Sequence, residues 1–278
     1  MCPKRRRTLL VAKCRPMEHP NLPNMIVTPS SKAHTNRIKS SVAVESVTLR
    51  HFIEDRRNYL FFKRVSDFVV SLLVIVFFLS WFLPIIAILI RLDSKGPVFF
   101  IQRRVGRWGK SFNCFKFRTM VVNASANIVQ ASEDDARITR IGRFLRKTNL
   151  DEFPQFFNVL LGHMSIVGPR PHMHADCNAF SSTVPGYKLR TVVRPGITGL
   201  AQVKGYRGPA KDFASIFHRY QFDAFYVRNA SMWLDIRIVR KTAYQTIRQI
   251  YKAITGKNTK QTKRLSFGQH AEPVLTNN

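Results

Sequence analysis

The sequence predicts an α+β fold: a re-entrant membrane helix hairpin near the N-terminus, then a mainly helical domain with a short β-hairpin and amphipathic interfacial helices. Three observations predict it. An uncharged run of 23 residues, Phe68 to Ile90, stands between charged flanks. Two β-like stretches follow it across a turn that carries two glycines. Beyond them, apolar residues recur at helical spacing among arginines. The chain accordingly divides into a basic tail at 1–57, a membrane helix at 58–92, a cytoplasmic domain at 93–255 and a second tail at 256–278.

Residues 1–57 contain Pro3, Pro16, Pro20, Pro23 and Pro29 with Ser, Thr and Asn between them, and read as poorly ordered. Lys4-Arg5-Arg6-Arg7 reads either as a contact for anionic lipid or as a solvated charge run. Val47 to Arg64 reads as a helical lead into the membrane segment.

As a straight helix the uncharged run would be roughly 34 Å long, enough for a hydrocarbon core of about 30 Å. It lies too deep in the chain, and lacks the cleavage site, for a signal peptide. Arg50, Arg56, Arg57, Lys63 and Arg64 precede it; Arg91, Lys95, Arg103, Arg104, Arg107 and Lys110 follow. Such balanced flanks give no orientation. Pro84 denies the Ser80 carbonyl its hydrogen bond, which favours a helix break between Ser80 and Pro84. A hairpin with both ends in the cytoplasm satisfies both facts, and a simple crossing is the alternative.

The chain carries 45 Lys+Arg against 16 Asp+Glu, a net charge of +29. That excess calls for a polyanion: nucleic acid, an anionic membrane or a phosphorylated substrate. A nucleic-acid module leaves the uncharged run unexplained, so no nucleic-acid partner is expected. Cys2, Cys14, Cys114 and Cys177 have no metal spacing and read as reduced thiols.

Pro97–Gln102 and Phe112–Arg118 read as a hairpin across Gly106 and Gly109. Gly106 to Ser111 lacks the first glycine of a P-loop, Arg104 standing in its place. Asp134 to Leu145 reads as a helix with Ile138, Ile141 and Leu145 on one stripe and Arg137, Arg140 and Arg143 on another, suited to a membrane surface or a solvated face. Ser231 opens a further helix, with Trp233 and Tyr226 suited to interfacial depth.

The chemistry gathers in the middle. Asp151-Glu152 precedes Pro154, which is tolerated only in the first turn of a helix. If Asp151 opens that helix, both carboxylates sit at its positive end, where the dipole also favours phosphate. The alternative is a cap, with Thr148 in a capping box. Gly168-Pro169-Arg170-Pro171 and Arg194-Pro195-Gly196 each hold an arginine in a rigid turn. Arginine is the preferred bidentate partner of phosphate oxygens.

Taken together, several blocks resemble the bacterial sugar transferases, the monotopic polyprenyl-phosphate phosphoglycosyl transferases, nearest to those that start exopolysaccharide repeats. The resemblance runs from about Lys63 to Tyr244. Its carriers are Gly96–Phe100, Lys116–Met120, Thr139–Gly142, Leu150–Gln155, Asn158–Leu160, Met164–Pro171 and Arg194–Gln202. It implies that Asp151 is a nucleophile toward the β-phosphorus of a UDP-sugar, that UMP leaves, and that polyprenyl phosphate then takes the sugar phosphate. Glu152 matches the second member of the dyad. Mg²⁺ is expected at Asp151, and Lys116, Arg118, Arg137, Arg140, Arg170 and Arg194 match basic positions suited to substrate phosphate. The resemblance places the domain on the cytoplasmic face of a bacterial inner membrane, in contact with anionic lipid; a homodimer is left open. Such enzymes break the membrane helix at a Ser-Pro pair, whereas here Trp81 follows Ser80. Two rivals remain: a glycosyltransferase, against which stands the lack of any Asp-x-Asp, and a non-catalytic scaffold of polysaccharide assembly.

Overall fold

In the computed structural model, which describes residues 56–122, 135–208 and 212–255, Arg57 to Asp93 form one helix of 37 residues. The tails, Lys4–Arg7, Cys2, Cys14 and Asp134 lie outside the described residues. The helix is long and apolar enough to cross a membrane, and only 17% of its most apolar stretch is buried. A core helix of a soluble domain would be mostly covered. Its three parts are α1 (Arg57–Leu73), a π-helical stretch (Val74–Leu79) and α2 (Ser80–Asp93).

The irregularity expected at Ser80 and Pro84 lies earlier, in the π stretch, and α2 runs on through Pro84. A π turn admits an extra residue into the hydrogen-bond ladder and is a recognised origin of kinks. Two side chains serve the loosened carbonyls: Ser80 Oγ donates to Val76 O at 2.6 Å, and Trp81 Nε1 to Phe77 O at 2.9 Å.

Both ends of this rod are tied into the rest of the chain. Toward its start, Asp67 accepts from Ser165 Oγ at 2.7 Å and from the Ile166 amide at 3.2 Å. At its finish, Asp93 accepts the Ile141 amide at 2.8 Å. Arg118 covers the C-terminal carbonyls, donating to Ser94 O (2.6 Å), Lys95 O (3.0 Å) and Ile90 O (3.4 Å).

The expected hairpin forms: β1 (Phe99–Val105) pairs antiparallel with β2 (Ser111–Phe117), Phe100 opposite Lys116. Trp108 (φ 57°) and Gly109 (φ 74°) turn the chain between them. The helix read from Asp134 starts later, as α3 (Arg140–Thr148), because Thr139 Oγ1 accepts the Gly142 amide and sets the N-cap. Asp135 holds back the preceding residues by accepting from the Arg137 amide and guanidinium. Asn149, in the left-handed region at φ 59°, ends α3. A 3₁₀ turn (Leu150–Glu152) then leads to α4 (Gln155–Leu160).

The short strands β3 (Ser165–Val167) and β4 (Gly196–Thr198) pair in parallel. They approach so closely that a Cβ on Gly196 would stand 2.1 Å from the Gly168 nitrogen. α5 (His174–Thr183), a 3₁₀ turn (Tyr187–Thr191), α6 (Leu200–Val203), α7 (Phe213–Asn229) and α8 (Met232–Thr255) complete the order. Trp233 on α8 is 70% exposed. Tyr226 does not share that position. It is buried in the core, its hydroxyl bonded to Val167 O and Asp235 Oδ1, on the face of α7 that also buries Arg219, Asp223 and Val227.

One hydrophobic cluster joins the long helix to the middle of the chain. Leu79, Ile86 and Ile90 pack with Phe117, Leu145 and Leu150, and Phe153 and Phe156 lie against them. Phe153 also rests on Phe78 (ring centroids 5.0 Å apart) and Phe82 (5.9 Å).

Candidate active site

Asp151 and Glu152 occupy the 3₁₀ turn before α4, and Pro154 takes the N-cap position of that helix. The reading that Asp151 opens a regular helix is therefore corrected: α4 begins four residues later and is only six residues long, so its dipole gives the pair little. The capping box also fails, since Thr148 Oγ1 donates back to the Phe144 and Leu145 carbonyls.

What holds the pair is charge. Lys116, projecting from β2, donates to Glu152 Oε1 at 2.7 Å. Arg170, from the Gly168–Pro171 turn, forks onto both oxygens, Nη2 to Oε1 at 2.8 Å and Nη1 to Oε2 at 3.3 Å. Glu152 is 12% exposed in this contact. Burial pushes its carboxyl up, but Arg170 and Lys116 outweigh that and hold it well below the usual carboxylate range.

Asp151 differs. Its carboxylate accepts no hydrogen bond from a described residue, and burial pushes it up to about 6; the Glu152 charge adds to the rise, while Lys116, Arg170 and Arg146 oppose it. Neighbouring carboxyls driven in opposite directions are the mark of divided roles. Glu152 stays ionised and fixes two cations, while Asp151 keeps free, basic oxygens beside them.

Behind Arg170 stands a buried scaffold. Arg190 Nη2 donates to the Arg170 carbonyl at 2.6 Å and sits 2.8 Å from Asp223 Oδ2, and both side chains are almost wholly enclosed. Its Nη1 lies 2.6 Å from His172 Nδ1. Burial, then the Arg190 charge, drives His172 well below its ordinary pKa, so the imidazole is neutral and can accept.

The other expected cations disperse. Arg118 serves the end of α2. Arg137 pairs with Asp135 at 2.6 Å. Arg140 is exposed on the first turn of α3. Arg194 gives Nε to Gly162 O at 2.9 Å. In their stead, Arg146 and Arg207 lie close enough to influence Asp151 electrostatically. Arg207 is steered by its 2.8 Å bond to Asn149 Oδ1. Arg146 continues the three-residue spacing of Arg137, Arg140 and Arg143 and could have been found that way. Arg207 has no local pattern.

Among the described residues no three His, Cys, Asp or Glu side chains converge. A hard divalent cation needs fewer, since Mg²⁺ is commonly held by one or two carboxylates together with substrate phosphates. Asp151 is the carboxylate here with oxygens to offer, so the donor set fits that mode.

Residues 58–249 match the bacterial sugar transferase family. A stretch of 185 residues is 45% identical to the UDP-glucose:undecaprenyl-phosphate glucose-1-phosphate transferase of Klebsiella pneumoniae, covering 66% of this chain and 40% of that protein. The UDP-N-acetylgalactosamine-undecaprenyl-phosphate N-acetylgalactosaminephosphotransferase of Aeromonas hydrophila is 43% identical over 66% of this chain and 43% of its own. The exopolysaccharide production protein PSS of Rhizobium leguminosarum bv. phaseoli is 46% identical over 64% of this chain and 90% of its own. Against the first two, the chain spans about two fifths of the relative's length.

Proposed function

The chain belongs to the bacterial sugar transferase family, and we propose that it moves a sugar 1-phosphate from a UDP-sugar to polyprenyl phosphate, releasing UMP, with Asp151 as the nucleophile. The observation that carries this is the split dyad: Asp151, raised and accepting no hydrogen bond from a described residue, beside a Glu152 pinned by Lys116 and Arg170.

An Asp151 oxygen attacks the β-phosphorus of the donor. The bond from that phosphorus to the bridging oxygen breaks, and UMP leaves with the electron pair. A polyprenyl phosphate oxygen then attacks the same phosphorus, the bond to Asp151 breaks, and the carboxylate is restored with a polyprenyl diphosphate sugar as product. Splitting the transfer lets one site serve a soluble donor and a lipid acceptor in turn. Lys116 and Arg170, fixed by Glu152, face the phosphoryl oxygens as charge builds. Mg²⁺, held by Asp151 and substrate oxygens, would neutralise the diphosphate.

The same reading places the long helix in the cytoplasmic membrane with both ends on the cytoplasmic face. Supporting it, Asp67 and Asp93 near the two ends bind β3 and α3, which belong to one compact unit.

The test is a quenched early time point with UDP-sugar and Mg²⁺ but no lipid. About one UMP per site should appear, with a hydroxylamine-labile sugar-phosphate adduct on the peptide containing Asp151. UMP formed only when donor and lipid are present together, with no adduct, would replace the two-step scheme by direct displacement.

A further inference from the structure

Asn149, the residue that ends α3 in the left-handed region, is bonded on three sides. Its backbone carbonyl accepts the Glu152 amide at 3.3 Å, starting the 3₁₀ turn that carries the dyad. Its side-chain Oδ1 accepts from Arg207 Nη1 at 2.8 Å. At the other end of the same amide, Nδ2 donates to Gln249 Oε1 of α8. A carboxylate could do only the first of these side-chain tasks. An amide accepts at one atom, donates from the other and carries no charge.

That neutrality matters for Arg207. Burial lowers its pKa most, the Glu152 and Asp151 charges raise it, and the Arg170 charge lowers it. It therefore stands within electrostatic reach of both dyad carboxylates, but it forms an ion pair with no described residue. Glu152 is already shared between Lys116 and Arg170. The bond to Asn149 is the only hydrogen bond of the Arg207 side chain among the described residues. The chain around it is held as well, because buried Arg219 donates to the Gly208 carbonyl. Arg207 is thus aimed by a dipole and keeps its full charge for an incoming anion.

We propose that Asn149 is a positioning residue for the nucleotide, holding Arg207 beside the dyad as an unneutralised cation for the diphosphate of the UDP-sugar. The inference rests on the transfer reading above. It adds that the residue two places ahead of Asp151 decides how firmly the diphosphate is gripped, and that Gln249 links α8 to that grip.

The experiment measures binding and needs no transfer. UDP with Mg²⁺ is titrated calorimetrically onto the full chain in detergent, each variant being checked by thermal melting. Arg207→Gln should weaken UDP about tenfold, the loss of one charge-assisted contact. Asn149→Gly keeps the left-handed backbone and removes only the amide, and should weaken UDP about fivefold. The double variant should bind no more weakly than Arg207→Gln, because the amide acts through the guanidinium. Asn149→Asp should also weaken UDP, by about tenfold, although a carboxylate holds Arg207 more tightly, because it neutralises the charge. A residue that merely capped α3 would tolerate both glycine and aspartate. Losses that multiply in the double variant, or undiminished UDP binding by any folded single variant, overturn this inference alone. Failure of the wild type to bind UDP overturns it together with the transfer reading. If Asn149→Gly does not fold, Asn149→Asp, which keeps the bond to Arg207, decides the matter.

Discussion

Asp151→Asn should abolish UMP release and, at the same time, make the protein more stable. Burial raises the Asp151 carboxyl from 3.8 to about 6. A carboxyl with a raised folded-state pKa contributes stability that is fully present below its unfolded pKa and lost as pH rises through about 6. Near pH 8 the folded wild type therefore bears a cost of roughly 1–3 kcal/mol, at about 1.4 kcal/mol per unit. The amide escapes that cost, and its Tm should rise by roughly 3–8 °C for a domain of this size. Near pH 4 the difference should vanish. Glu152→Gln must behave in the opposite sense. Its lowered pKa contributes stability above the unfolded value, lost as pH falls through the folded one. Removing the charge strands Lys116 and Arg170 and should cost about 2–4 kcal/mol near pH 8. The assay is thermal unfolding of both variants in detergent across pH, run alongside UMP release. If Asp151→Asn gains nothing near pH 8 relative to pH 4, the reasoning that makes Asp151 a strained, basic carboxylate is wrong. If it still releases UMP, deamidation excluded, Asp151 is not the nucleophile.

Three further expectations follow from the geometry. Burst formation of UMP should fall as pH drops through about 6, as Asp151 protonates; a burst that is flat from pH 8 to pH 5 would contradict it. Single cysteines near Arg57 and near Lys95 should both escape labelling from outside intact spheroplasts; labelling of the N-terminal flank would mean a crossing. Gly196→Ala should unfold or inactivate the protein, because its Cβ would meet the Gly168 nitrogen at 2.1 Å and the Thr198 oxygen at 2.4 Å; near-normal melting would show that β3 and β4 can part.

Much of this was legible in the sequence where the causes are local. The hairpin follows from two β-like runs and a glycine turn, and the long helix from an uncharged run. The Arg170 turn follows from its prolines. What escaped depends on distant partners. Nothing near Arg207 tells of Asn149, and nothing near Arg118 tells of three carbonyls at the end of α2. Helix α7 is not legible in the sequence because it buries Arg219 and Asp223 along with Ala224, Tyr226 and Val227, so no apolar stripe marks its inner face. The burial of Tyr226 is hidden for the same reason. The start of α3 shifted because a threonine cap and an aspartate turn overrode the periodicity.

Phe153, the residue after Glu152, packs against Phe78 and Phe82 of the long helix. The dyad is thus anchored at a constant height relative to whatever the helix enters. With that helix in the bilayer, a lipid phosphate need not chase a tumbling domain through solution. On the proposed function it would drift sideways in its own leaflet to a carboxylate held at one depth, and a three-dimensional search would become a planar one.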